Sequence, residues 1–186
     1  MTSTGHIHVY TYKEGLLSRL AHDLRLSLHR YSINVDCGRV TATFDPRSLS
    51  VDGAVHHGEV DTTTLSESDQ RKITATLQDE VLKCDAHPEI RLEGVVTHQG
   101  NGRFSLRGQL SLHGSSIELE IPVTLGEQVR GDVEIVPSRW GIAPFRAMAG
   151  ALKVQDRVRV VLVLPVAASA INASTWQGAN HTWSCP

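Results

Sequence analysis

Ten histidines in 186 residues are a high count of groups that could bind metal or move protons. His6 and His8 stand two apart, which on a strand puts both imidazoles on one face, and His56 and His57 are adjacent. A zinc or copper centre needs three or four converging ligands with hydrogen-bonding groups behind them. Neither pair has a third ligand at a suitable spacing, and Cys37, Cys84 and Cys185 form no CxxC, so no metal and no cofactor is expected. Ser18, His22 and Asp23 supply the residue types of a hydrolytic triad. In an extended segment His22 and Asp23 point to opposite faces. No Gly-x-Ser-x-Gly elbow or phosphate-binding glycine loop is present either, so no enzyme activity is expected. Arg19, His22 and Arg25 gather near the start of a strand candidate. Arg25 is out of phase with Leu24 and Leu26 and faces solvent, which leaves Arg19 and His22 as candidates for holding an acidic head group. His113 precedes Gly114 in a polar break, where turn chemistry accounts for it.

The elements that must carry these groups are strands. In "LSLHGSSIELEIPVTL", residues 110–125, apolar residues alternate with mostly polar ones on either side of His113-Gly114-Ser115-Ser116. That pattern predicts a hairpin of two half-buried strands. The same period recurs at Ile7 and Val9, at Leu24, Leu26 and Leu28, at Val40, Ala42 and Phe44, and at Ile90 and Leu92. It continues through Phe104, Leu106, Leu110 and Leu112, through Val129, Val133 and Ile135, and ends in "LKVQDRVRVVLVLPV", apolar enough to be buried on both faces. Short polar connections favour antiparallel hairpins, and about eight such strands bury one apolar face most economically by closing on themselves. One segment breaks the pattern. Ser66 with Asp69 opens it, Ile73, Leu77, Val81 and Leu82 recur at helical spacing, and Pro88 ends it. The chain is therefore all-β with one amphipathic helix: an antiparallel up-and-down barrel over residues 1–166.

Residues 167–186, "AASAINASTWQGANHTWSCP", are small and polar with no periodicity, and are expected to be a disordered or loosely docked tail. A net charge of −2 with no basic block gives no reason to expect a nucleic-acid partner. No stretch approaches the roughly 18 apolar residues of a membrane helix, so no membrane insertion is expected. The first residues, "MTSTGHIHVYTYKEG", lack a secretory signal, and the cysteines are odd in number. A reduced, cytoplasmic protein is the expectation.

Four stretches resemble the YceI-like family, known as polyisoprenoid- or lipid-binding proteins. They are "LLSRLAHDLRLSL", "DEVLKCDAHPEIRLEG", "LSLHGSSIELEIPV" with its His-Gly hairpin and apolar-Pro-apolar strand, and "VPSRWGIAPF" leading to "ALKVQDRVRVVLVLPV". Their order and spacing around one helix cover roughly residues 6–166. The resemblance implies a lipocalin-like barrel with an elongated apolar lumen, holding an isoprenoid or fatty chain. It also implies pairing, so a homodimer is an expectation. The family's exported members carry a signal that this chain does not show, and the connection "SVDGAVHHGEVDTTTL" reads as an irregular variant.

The lumen would then be lined by Leu24, Leu26, Leu28, Phe44, Ile90, Leu92, Phe104, Leu106, Leu110 and Ile135. Two readings stay open. An eight-stranded barrel is just wide enough either to be filled by side chains or to hold one ligand. Aromatic residues are only 5% of the chain, so mid-sized aliphatics dominate the interior, which favours a cavity. The alternative is an interaction or scaffold module with a filled core and a tail that docks a partner. Trp140 and Phe145 in "SRWGIAPFRAMAG" place large apolar groups in a loop, which must fold over something, as a plug or as a lid on ligand.

Overall fold

A computed structural model describes residues 5–14, 22–147 and 152–166. The alternating runs form β1 (His6–Glu14), β2 (Asp23–Leu28), β3 (Tyr31–Asp36), β4 (Arg39–Phe44), β5 (Leu49–His56) and β6 (Glu59–Asp61). After the helix come β7 (Ile90–Gly100), β8 (Arg103–Leu112), β9 (Ser115–Leu125), β10 (Gln128–Ile135), β11 (Arg146–Ala147) and β12 (Leu152–Pro165). All pair antiparallel in one curled sheet. The hydrogen-bonded path runs β3-β4-β7-β8-β9-β10-β12-β1-β2-β5-β6, with the two-residue β11 beside β12. Eleven strands on that path replace the eight expected.

The difference has a local cause. The three added strands are β3, β5 and β6, and the first two follow a shared corner, where β2 passes into β3 at His29–Arg30 and β4 into β5 at Asp45–Ser48. Pro46 has no N–H to give a ladder, and Asp45 instead caps a short 3₁₀ turn over Pro46–Ser48 by accepting from the Arg47 amide at 2.9 Å. The corner keeps its own bonds, Asp45 N–H to the Arg30 carbonyl at 3.0 Å and Arg30 N–H to Ser48 Oγ at 2.9 Å. Since β3 continues β2 and β4 continues β5, the chain itself ties the two ends of the curled sheet together.

Cys37-Gly38, His57-Gly58, Asn101-Gly102 and His113-Gly114 take positive φ at both positions, the turn geometry that suits tight hairpins. One of them makes the connection after Ser50 a regular hairpin of β5 and β6, where the sequence suggested irregularity. The final strand is not buried on both faces: Arg157 and Arg159 stand exposed on its outer side and pair with Glu134 and Asp132.

Helix α1 (Glu67–Thr76) starts at Ser66, whose Oγ accepts from the Asp69 amide at 3.1 Å. A wider turn, Leu77–Val81, follows, and the helical course ends there rather than at Pro88, with Lys83 at φ 50°. Ile73, Leu77 and Leu82 pack on the apolar cluster of Ile7, Leu26, Leu28, Leu49 and Val51. Thr74 Oγ1 accepts from the Val51 amide at 3.2 Å, and Gln78 Nε2 donates to the Arg47 and Leu49 carbonyls at 2.9 Å each. The helix thereby satisfies backbone groups of β5 that lack a strand neighbour, and covers that edge. A second cluster joins Val40, Ala42, Leu92, Leu106, Leu110 and Trp140, and Phe44 packs against both.

Candidate functional site

The registers bring the alternating apolar residues onto one inner surface. Leu49, Leu28, Ile7, Leu162, Gly131, Val123 and Phe104 stand opposite one another in turn across β5, β2, β1, β12, β10, β9 and β8. A neighbouring row runs Val40, Gly94, Gly108 and Leu119 across β4, β7, β8 and β9. No carboxylate, ammonium or guanidinium belongs to either row.

Packing divides this surface in two. Leu26, Leu28, Leu92, Phe104, Leu106 and Leu110 are buried, so one half of the interior is filled by side chains. Leu24, Phe44, Ile90 and Ile135 are half-buried. So are Ile117, Leu119, Ile121 and Val123 on β9, Val133 on β10, and Val158, Val160 and Leu162 on β12. Along this second wall β9 and β10 share only three pairs, ending at Val123 and Gly131. Leu125 N–H donates to the Gly102 carbonyl on the β8 side at 2.8 Å, so alternation aims the position of Pro122 at β10. Proline has no N–H to offer there, and the two strands part.

One end of the inner surface is closed by a loop. Pro137–Trp140 form a 3₁₀ turn ending at Gly141 (φ 80°), and Trp140 is 1% exposed with Nε1–H donating to the Leu110 carbonyl at 2.8 Å. Ile142 is buried beside it in sequence, whereas Phe145 is half-buried and accepts from the Val154 amide at 3.1 Å. Of the two roles expected for this loop, Trp140 fills a plug. His113, in the β8–β9 turn, leans on the same loop. Its ring lies 4.1 Å from that of His87, and its Nε2 is buried without a hydrogen-bond partner. Burial, then the neighbouring His87 and Lys83, hold its pKa below the ordinary histidine value.

The outer face holds the other polar groups. Arg25 Nε donates to Asp52 Oδ2 at 2.7 Å, Ser27 Oγ donates to the same oxygen at 2.8 Å, and His8 Nδ1 stands 3.1 Å from Ser27 Oγ. Serine sits between histidine and carboxylate here, the reverse of the order that activates a nucleophile. Burial first, then Arg25 and His6, lower the His8 pKa. The His6 and His8 rings are 4.7 Å apart, and among the described residues no group of three or more His, Cys, Asp or Glu is placed to hold a metal. His22 is half-buried against the His56 ring at 5.8 Å, while Arg19 and Ser18 lie outside the described residues. Cys84 is a buried free thiol whose pKa burial pushes up.

Of the predicted lining, Leu26, Leu28, Leu92, Phe104, Leu106 and Leu110 are buried and Leu24, Phe44, Ile90 and Ile135 half-buried, and the half-buried row of β9, β10 and β12 lies outside it except for Ile135. A signal for it lay in the sequence. Gly108 and Gly131 occupy the apolar phase of their strands, between Leu106 and Leu110 and between Val129 and Val133. Such positions carry no side chain into the interior. Pro122 in the neighbouring strand marks where pairing stops.

A curled antiparallel sheet with an uncharged inner surface, one short helix over an edge and a tryptophan plug defines a barrel-like fold built around an apolar interior. A YceI-like domain model matches residues 22–166, and the chain belongs to that family, one of lipid- and polyisoprenoid-binding β-barrels. The structure is similar to BcnA of Burkholderia cenocepacia, with 13% identity, TM-score 0.63, and 88% of this chain and 96% of that chain covered. It is also similar to the Campylobacter jejuni YceI protein, with 13% identity, TM-score 0.53, and 75% and 81% covered. A mutant of the latter, solved with a monobromobimane guest, gives TM-score 0.55 at 13% identity over the same shares. No curated protein matches this chain. At such identities the likeness is one of fold.

Proposed function

We propose that this protein is a non-enzymatic carrier that holds one long apolar chain, isoprenoid or fatty, along the inner wall of β9, β10 and β12. The observation that carries this reading is the row of half-buried aliphatics on that wall, where β9 and β10 lose their pairing at Pro122. A chain lying there would gain about 25 cal/mol for each Å² of apolar surface removed from water, before ordering costs are subtracted. The inner rows offer no nucleophile and no charge, so the wall selects by girth and length. Membership of a family of lipid- and polyisoprenoid-binding barrels supports the same ligand class. Among the described residues no helix is long and apolar enough to cross a membrane.

Native mass spectrometry of freshly purified protein, followed by organic extraction, tests the reading. One co-purifying long-chain molecule per polypeptide is expected, along with saturable binding of geranylgeraniol after delipidation. Protein that carries no lipid and binds no such chain is the scaffold module instead.

A further inference from the structure

The hydrogen-bonded path of the sheet ends at β3, and among the described residues no strand or helix lies beyond it. The Cys37-Gly38 turn decides which backbone groups that edge leaves unpaired. A two-residue turn of positive φ makes its flanking residues, Asp36 and Arg39, a hydrogen-bonded pair, and such pairs recur at every second residue. Asn34 with Thr41 and Ser32 with Thr43 come next, and Asp45 N–H donating to the Arg30 carbonyl at 3.0 Å closes the series. The amides and carbonyls of Tyr31, Ile33 and Val35 therefore point away from β4, out of the sheet edge. These three residues also carry the inward phase, opposite Phe44, Ala42 and Val40. Val35 is nevertheless 40% exposed, one of two large apolar residues left so among the described residues. No proline, lysine or bulge between Tyr31 and Asp36 blunts the edge.

The pattern of this edge is complementary to itself. Two copies of β3 running antiparallel about Ile33 set Ile33 opposite Ile33 and Tyr31 opposite Val35. Every residue so opposed has its amide and carbonyl free, and each opposed pair exchanges two hydrogen bonds. A shift of one residue would set free groups against groups already bonded to β4. In the matched register the Val40–Val35 row of one copy runs into the Tyr31–Phe44 row of the other, which covers the exposed valine. On the outward face Arg30 falls opposite Asp36, at both ends by symmetry. Asp36 is exposed, and the Arg30 side chain is 66% exposed. Its guanidinium holds Asp45, with Nε to Oδ2 at 2.8 Å, and has donors left for a second carboxylate. The other end of the path lacks such complementarity. β6 carries Glu59 and Asp61 around Val60, so pairing with itself would oppose like charges.

We propose that β3 is a self-docking edge, on which a second copy of this chain adds its own β3 antiparallel about Ile33 and so joins the two sheets. The proposal is independent of what the interior holds. Two six-residue strands bury little beside the roughly 1,600 Å² of a standard interface, so the dimer is weak and depends on concentration.

Sedimentation equilibrium of the full chain, from about 5 to about 500 µM, tests it, with thermal melts of each variant as the control for folding. Parent protein should show a monomer–dimer equilibrium with a dissociation constant of about 10–100 µM. Val35→Pro removes an edge N–H that β4 does not use, and should weaken the dimer at least about tenfold with little change in thermal midpoint. Asp36→Lys sets a cation opposite Arg30 and should weaken it as much. Adding Arg30→Glu to Asp36→Lys restores opposite charges and should recover the dimer. Should Val35→Pro lose its fold, the charge pair decides alone. Parent protein that stays monomeric throughout the range overturns the proposal. A dimer that Asp36→Lys leaves intact overturns it too, because the contact then lies on another face.

Discussion

Gly94 and Gly108 face each other across β7 and β8 so closely that neither has room for a side chain. A Cβ on Gly94 would stand 2.5 Å from the Arg107 carbonyl oxygen, and one on Gly108 would meet the Glu93 carbonyl closer still. Both sites lie in the inward phase, where the sheet curls over the cluster of Val40, Leu92 and Leu106. The pair lets two backbones approach and bend without a clash. Gly131 is inward too, but a Cβ there would meet Ile121 and Leu162 at an ordinary 3.7 Å. Gly108→Ala should therefore destabilise by about 1–3 kcal/mol through overpacking, whereas Gly131→Ala should be neutral or slightly stabilising. Urea denaturation of the two variants beside the parent measures the contrast. Equal effects would mean that the close approach does not govern the curl.

Trp140 plugs the interior through one directed bond as well as its bulk. Trp140→Ala should cost about 3–5 kcal/mol for the lost ring. Trp140→Phe keeps most of the packing and leaves the buried Leu110 carbonyl without its donor, a cost of about 1–3 kcal/mol. Thermal melts of both variants, ranked Ala below Phe below parent, are the expected result. A phenylalanine variant as stable as the parent would reduce the plug to plain apolar filling.

The sequence shows why some of this was legible and some was not. Period-two alternation located the strands and their inward residues, because which face a side chain occupies depends only on parity. It gave no sign that a further strand, β3, follows the break at His29–Arg30, since that break depends on Pro46 and Ser48 in the turn between β4 and β5. Nor does parity distinguish Leu106, which is packed, from Leu162, which is half open. That difference is set by where β9 and β10 separate, a relation between two strands. The His8–Ser27–Asp52 network was invisible for the same reason, because its members come together only through the pairings of β1, β2 and β5.

Histidine burial makes stability depend on pH. His113 and His8 both have pKa values below the ordinary histidine value, His113 chiefly through burial and the nearby His87, and His8 through burial and Arg25. The unfolded chain therefore takes up protons first as pH falls. Their contribution is fully present above the unfolded pKa of about 6.5 and is lost as pH drops from there toward the lowered folded values. His113→Asn suits the left-handed turn position and removes one titrating group. Its thermal midpoint should fall less than the parent's between pH 7 and pH 5. Parallel pH profiles for the two proteins would show that His113 does not titrate within this window.

The open wall and the filled half should answer the same bulky substitution in opposite ways. Ile121 and Leu162 are half-buried and flank Gly131, so on the carrier reading Ile121→Trp extends an indole into the path of the ligand. Leu26 is 3% exposed within a packed cluster, so Leu26→Trp must push its neighbours aside. The first variant should lose geranylgeraniol binding at little cost in stability. The second should lose about 1–3 kcal/mol of stability from overpacking, and any loss of binding should follow its unfolding. Leu106 is packed like Leu26 and belongs with the second class, although sequence alone places it in the path of a ligand. Calorimetry and probe titration on the same preparations separate the two effects. If Ile121→Trp destabilises as much as Leu26→Trp, the wall of β9, β10 and β12 is as full as the other half, and no chain lies along it.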